Sequence, residues 1–585
     1  MNVIFKKFCQ QSHLPSLKIL LIFQLLVLYI PLSIAHPTVN NQRDIITPIE
    51  AKNGMVVTDN NLATQIGLTV LTQGGNAIDA AVTIGFVMAV TYPQAGNIGG
   101  GGFMLIHHAP TKQVIAIDYR ETAPAKAHPD MFLDQDNHVN PKLSRFSHRA
   151  VGVPGTVAGL ALALEKYGTF SLAQALAPAI TLAKEGFVVS KALSESIKQH
   201  LPKDHSQLIP AIFFNARGQV YEPGELLIQK DLANTLNLLA KEGTSAFYHG
   251  QIANLIVAEM KIHGGLITKD DLVRYQPIIR QPMQGSYRGY DIYSMSPPSS
   301  GGVHIIQILN ILEKDDIKSL GHNSAATIHL LAEAMKRAYA DRSKYLGDPD
   351  FVKVPIAELI SKRYATQLRL TINSAKATAS TEILPGTLPG DESDETTHYG
   401  VVDQAGNAVS NTYTLNFSFG SGIVVPGAGF LLNNQMDDFS AKPGIPNAFG
   451  LIGGKANAIQ PCKRMLSSMS PTIVLTAGKP FLVTGSQGGS RIISTVLQVI
   501  MNVIDHDMNI QEAVNTVRIH HQWLPDELNI EEGLSLDTIQ LLTQFGHKIV
   551  VNPSMGSAPS ILIDPLRKIY FGAADPRKNG LALGY

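Results

Sequence analysis

Asp394-Glu395-Thr396-Thr397-His398-Tyr399-Gly400-Val401-Val402-Asp403 is the stretch on which the reading of this 585-residue chain turns. A polar segment marked by Pro and Gly, residues 371–395, leads into it, and a strand-like alternation follows. A Thr that opens a strand behind such a linker carries a nucleophilic hydroxyl. If the chain is cut before it, it also carries a free α-amine that can serve as the base for that hydroxyl. The residues alone leave this reading open beside a plainer one, a polar loop that meets a strand. His398 shares a strand face with Thr396 and is a second candidate base, ranked below the amine.

Working outward, the following segment reads as strands and turns. Residues 401–403 and 408–414 are joined by the turn signal Gln404-Ala405-Gly406-Asn407. Strands are also expected at 472–476 and 481–484, around Ala477-Gly478. Gly488-Gly489-Ser490 then opens a helix over 491–504. Two glycine N–H groups at a helix start form either an oxyanion site or an ordinary helix start.

The preceding segment reads as helical. Residues 36–53 form a polar arm. Helical patterns cover 61–67 and 76–90, with Asn60 and Asn76 as N-caps and Gly74-Gly75 as a stop. Gly96 to Gly102 holds a glycine cluster with no Gly-Lys-Ser/Thr behind it, which favours close backbone packing over a phosphate loop. Residues 103–107 and 113–118 read as a hairpin that delivers Arg120. That arginine suits either a bidentate grip on a carboxylate or a surface ion pair with Glu121 or Asp118. Residues 155–260 are mostly helical, with loops at 203–219 and 222–225. A strand at 290–294 and helices at 303–312 and 325–346 follow.

Composition narrows the function classes. Hydrophobic residues make up 45% of the chain and charged residues 16%, a globular balance. Lys+Arg and Asp+Glu both number 47, so no strong field favours nucleic acid. Lys6, Lys7 and Lys18 precede an apolar run from Ile19 to Ile30, with Ser33-Ile34-Ala35 behind it, which reads as a signal peptide over residues 1–35. Its removal leaves 44 basic residues (47 less those three lysines) against 47 acidic ones. It also removes Cys9, so Cys462 is the one thiol of the mature chain and no intrachain disulfide can form. There is no Gly-x-Ser-x-Gly elbow and no His-Glu-x-x-His. The adjacent pairs His107-His108 and His520-His521 are poor metal-ligand geometry, so neither a metal nor another cofactor is expected.

Several long blocks carry a resemblance. They are Gln94 to Met104, Asp118-Tyr119-Arg120-Glu121, Ser296 to Gly302, Tyr339-Ala340-Asp341-Arg342, Thr396-Thr397-His398-Tyr399, Leu432 to Phe439, Leu466 to Pro471 and Gly485 to Arg491. From about Ala51 to Tyr585 the chain resembles the bacterial γ-glutamyltransferases, glutathione hydrolases of the N-terminal-nucleophile superfamily. The resemblance implies an α+β fold, a four-layer αββα sandwich built from both fragments of a self-cleaved chain. The cut would fall at Glu395-Thr396, leaving a large subunit, 36–395, and a small catalytic subunit, 396–585. Thr396 would then be the nucleophile, Thr414 its hydrogen-bonding partner, and Gly488 and Gly489 the oxyanion donors. Arg120, Ser467 and Ser468 would hold the α-carboxylate of the γ-glutamyl group, and Asp438, Asn416 and Gln435 its α-amine.

The partners implied are glutathione and other γ-glutamyl donors, with water, amino acids or dipeptides as acceptors. The place implied is outside the cytoplasm, in a periplasm or secreted. Residues 439–450 resemble the family's lid, but Phe449 stands where many bacterial members have Tyr, so its ring lacks a hydroxyl. Two alternatives are a cephalosporin or glutaryl acylase of the same superfamily and an inactive secreted binding protein of the same shape. A pocket for an amine-free acyl group would not need Asp438.

Overall fold

The computed structural model describes residues 46–200, 211–384, 396–442, 444–445, 447–448 and 450–585. The leader expected over 1–35, the residue Glu395 and the lid residue Phe449 lie outside the described residues.

Two seven-stranded antiparallel sheets lie face to face. From edge to edge the first runs Leu581–Gly584, Met55–Thr58, Thr397–Val402, Ala408–Thr414, Gly101–His108, Gln113–Tyr119, Ile278–Arg280. The second runs Ile49–Ala51, Ile569–Ala573, Ser560–Asp564, Lys479–Thr484, Thr472–Thr476, Tyr290–Ser294, Met283–Tyr287. Strands from before and after Thr396 share both sheets, and Met55–Thr58 lies between two strands from the later part of the chain.

The period-2 alternation of Thr397–Val402 sorts its side chains between two cores. Tyr399 and Val401 join a core with the helix Ala77–Thr91, and the Tyr399 hydroxyl donates to Ala81 O at 2.8 Å. Val402 joins a second core with Val483 and Ile473 of the facing sheet, backed by the helices Gly301–Leu312, Ala325–Tyr345 and Ile492–Ile504. The order is helix, sheet, sheet, helix, a four-layer αββα arrangement. Ala77–Thr91 is buried on every side, as its nearly continuous apolar composition requires. Asn60 and Asn76 both accept backbone N–H bonds at the helix starts they were expected to cap.

Two segments depart from the sequence reading. The end of the expected polar arm, Ile49–Ala51, is an edge strand paired with Ile569–Ala573. The first part of the linker, Thr371 to Leu384, is packed rather than free. The His329 ring meets Asn373 O at 2.7 Å, Lys336 donates to Thr378 O at 2.8 Å, and Trp523 Nε1 donates to Ser380 O at 2.9 Å. These partners lie far away in sequence, which a local composition signal does not register.

Candidate active site

Thr396 directly precedes the Thr397–Val402 strand, and 4% of its surface is exposed. Its hydroxyl donates to Thr414 Oγ1 at 3.4 Å, across the ladder to the end of the neighbouring strand. Thr414 Oγ1 also accepts the Asn416 backbone N–H at 2.8 Å, which fixes its orientation. The pair opens into a cavity. Its lining brings together Thr396, Thr414, Arg120, Asn416, Gln435, Asp438, Ser467, Ser468 and Gly489.

Arg120 leaves the end of the Gln113–Tyr119 strand and is fully buried, so the surface-pair reading does not hold. Its guanidinium pairs with the Asp438 carboxylate, 318 positions on. Nε and Nη2 also donate to Met465 O and Leu466 O, both at 3.3 Å. A fork held this way is rigid and leaves little of its geometry to chance. Gln435 donates to Asp438 Oδ2 at 2.7 Å, while its own buried Oε1 has no hydrogen-bond partner among the described residues. An uncommitted amide oxygen beside a carboxylate is an acceptor set suited to an ammonium group. Asn416 has φ +82°, a conformation Asn tolerates better than most side chains, and its amide donates to Asn434 O at 3.1 Å.

Glu121 lies behind Arg120, 3.7 Å from Nη1, and neither carboxylate oxygen has a hydrogen-bond partner among the described residues. Burial pushes it up to about 8, against the pull of Arg120. At neutral pH it is therefore largely protonated, and Asp438 supplies the negative pole.

At the reactive end, a single 3-10 turn, Gly489–Arg491, precedes the helix Ile492–Ile504. Gly489 lines the cavity with φ +52°, and Gly488 sits one residue behind it with φ +124°, a region that effectively requires glycine. Gly485, at the start of this loop, packs on His398: a Cβ there would lie 2.3 Å from the imidazole. His398 faces this packing and shares a hydrogen bond with Thr412 Oγ1 at 2.9 Å. Burial pulls it down to about 3. It is a neutral core histidine bound to Thr412, which agrees with its second place as a base.

Sequence reasoning missed several residues of the wall, among them Arg342, Leu451, Met469 and Ser490. A usable signal for Arg342 was the Tyr339–Arg342 block, which stood out as a motif without a role. Among the described residues, those that come within ligand reach of one another are also not the adjacent histidine pairs. They are His148, Glu259 and His263, and separately His329, Glu333 and His547. In the first group the two imidazoles stack nearly parallel; in the second Glu333 already pairs with Lys336 and Arg337.

Comparison with known proteins places this geometry. A family model described as Gamma-glutamyltranspeptidase matches residues 63–585. The chain is 53% identical over 551 residues to a glutathione hydrolase proenzyme of Escherichia coli (strain K12), covering 93% of this chain and 94% of that protein. Among solved structures it is similar to a cephalosporin acylase from Bacillus halodurans, with a TM-score of 0.81 and 30% identity over 92% of this chain and 97% of that one. It is also similar to Helicobacter pylori gamma-glutamyltranspeptidase, with a TM-score of 0.54 and 51% identity. That match covers 56% of this chain and 94% of the solved chain.

Proposed function

The chain belongs to the γ-glutamyltranspeptidase family, and from that premise we propose that it is a self-processing γ-glutamyltransferase and glutathione hydrolase. The observation that carries the reading is the pairing of the buried Arg120 with Asp438 in the same cavity as Thr396. A γ-glutamyl head group is a zwitterion, and these two side chains offer adjacent poles of opposite sign. Arg120, with the Ser467 and Ser468 hydroxyls, takes the α-carboxylate. Asp438, Gln435 and Asn416 take the α-ammonium.

The chemistry follows in two halves. The chain is cut between Glu395 and Thr396, giving fragments 36–395 and 396–585 that stay together through the shared sheets. The new α-amine of Thr396 takes the hydroxyl proton as the oxygen attacks the γ-amide carbon. The Gly488 and Gly489 N–H groups receive the oxyanion, and Thr414 holds the attacking hydroxyl in line. The amide nitrogen leaves with the proton, for glutathione as Cys-Gly. The γ-glutamyl ester on Thr396 then passes to water or to the amine of an amino acid or dipeptide.

The name proenzyme carried by the E. coli relative supports the self-cut, as does the solved H. pylori chain that matches only part of this one. Export rests on the sequence of residues 1–35. No helix among the described residues is long and apolar enough to cross a membrane. Likeness to a cephalosporin acylase supports the shared fold; the acylase reading gives Asp438 nothing to bind.

The test is direct. Purified protein should run as two bands and release p-nitroaniline from γ-glutamyl-p-nitroanilide far faster than from glutaryl-p-nitroanilide, which lacks the α-amine. A single full-length band, or a preference for the glutaryl substrate, overturns the proposal.

A further inference from the structure

Two blocks that the reaction leaves without a role, Ser296 to Gly302 and Tyr339 to Arg342, converge on the Ser467-Ser468 turn. The first clamps its backbone. Ser467 N–H donates to Pro298 O at 2.8 Å, and Ser467 O accepts both the N–H and the hydroxyl of Ser300 at 2.8 Å. The Ser299 hydroxyl donates to Met469 O at 2.6 Å. The second block acts on the hydroxyls. Tyr339 and Arg342 lie three apart on the helix Ala325–Tyr345, hence on one face. The Tyr339 hydroxyl donates to Ser490 O at 2.5 Å, in the turn that carries Gly489. Arg342 donates through Nε to Ser300 Oγ at 3.0 Å and through Nη2 to Ser468 Oγ at 3.3 Å.

These contacts dictate where the serine protons go. A backbone N–H or a guanidinium can only donate. Ser467 Oγ accepts from Met469 N–H at 3.1 Å, and Ser468 Oγ accepts from Arg342, so each hydroxyl must send its own proton elsewhere. Both serines line the cavity, which leaves the pocket as the outlet. The arginine is unusual in a second way. It is 6% exposed, yet both its hydrogen-bond acceptors are hydroxyls and it makes no ion pair among the described residues. Arg518 and Arg577, equally buried, pair with Asp575 and Glu531 at 2.5 Å. A buried guanidinium without a direct ion-pair partner is costly even with the Asp438 carboxylate acting on it from further off, and it draws an anion to the wall it shares with Ser468.

We infer that Arg342 is a positioning residue for the α-carboxylate: it makes the Ser468 hydroxyl an obligate donor into the pocket and supplies the second positive charge at that end. The inference rests on the γ-glutamyl reading above.

The test uses two substrates, γ-glutamyl-p-nitroanilide and 4-aminobutyryl-p-nitroanilide. The second keeps the amine and lacks the α-carboxylate; it is assayed at enzyme concentrations high enough to give a wild-type rate. Arg342→Gln should lower kcat/KM for the γ-glutamyl substrate by about tenfold to a hundredfold, mainly through KM, as expected for losing a charge-assisted contact. Turnover of the 4-aminobutyryl substrate should change little. Equal losses on both substrates mean a merely structural role and overturn the inference. Adding Arg342→Gln to Ser468→Ala should cost less than the two single losses combined, because part of the effect of the arginine passes through Ser468; fully additive losses also overturn the inference. Should Arg342→Gln fail to fold, Arg342→Lys keeps the charge at that wall and removes the planar fork that holds Ser300 and Ser468. A smaller but still selective loss supports the inference, and an unselective one overturns it. If the wild type itself does not turn over the γ-glutamyl substrate, the underlying reading fails before any variant is compared.

Discussion

The two ends of the cavity are built from different materials. The charged end, Arg120 with Asp438 and Gln435, is made of side chains contributed by segments more than 300 positions apart. The reactive end, Thr396 with Thr414 and the Gly488-Gly489 turn, is made of hydroxyls and backbone at the ends of strands and a helix. Binding a charged head group, the role proposed for the first end, needs reach and desolvation. Acyl transfer needs donors fixed where the oxyanion appears, and the ends of interior strands and a helix start hold backbone more firmly than a long side chain could.

Breaking each end should therefore fail differently. The largest effect is expected of Thr396→Ala, which removes the proposed nucleophile: one uncut band on a denaturing gel and no turnover above background. A processed, active Thr396→Ala protein would mean the reactive end has been assigned wrongly. Asp438→Ala comes next. It strands a fully buried guanidinium, and kcat/KM for γ-glutamyl-p-nitroanilide should fall on the order of 10² to 10³ while the two-band pattern persists. Gly485→Ala tests the seam between the nucleophile strand and the oxyanion loop. Its methyl would press into the His398 ring, and thermal melts should show a loss of about 1–3 kcal/mol.

The smallest effect concerns the charged end in the absence of substrate. Burial holds Glu121 at about 8 against an ordinary value of 4.5, so between those values the folded protein keeps a proton that the unfolded chain releases. The associated stability is fully present below about 4.5 and is lost as pH rises through 8. Wild type should lose more melting temperature than Glu121→Gln on going from acidic to mildly alkaline buffer, by on the order of 1–3 °C. Parallel curves would mean that Glu121 does not titrate in that window.

Much of this was legible in the sequence, because much of it is local. Asn60 and Asn76 cap the helices they precede, and the glycines before Phe103 do permit close approach: a Cβ on Gly99 would meet Leu431 O at 2.0 Å. The hairpin turn at Gln404 to Asn407 lies where its residues indicated. Arg120 at a strand end could be seen, but its choice between a neighbouring acid and Asp438 could not, since that choice depends on burial and on a partner in another part of the chain. Arg342 was hidden for the same reason: on a helical pattern it reads as one more polar position. The Ile49–Ala51 strand escaped because three residues carry no periodicity, and its identity comes from the strand beside it.

The interleaving of the sheets has a further consequence, one of timing. Met55–Thr58 is flanked by Thr397–Val402 on one side and Leu581–Gly584 on the other, so its place in the first sheet is not filled in until residues at both distances exist. The turn behind Gly488 rests on Gly556, and the strand beside Lys479–Thr484 is Ser560–Asp564. A ribosome that has just passed Thr396 has therefore made the reactive residue, Arg120 and Arg342, but not Thr414, Asp438, the Ser467-Ser468 turn or Gly489. Loop closures this long are slow, so assembly waits for synthesis to run nearly to its end. On the proposed reading, maturation at Thr396 would therefore follow translation, held back by topology rather than by a separate inhibitor.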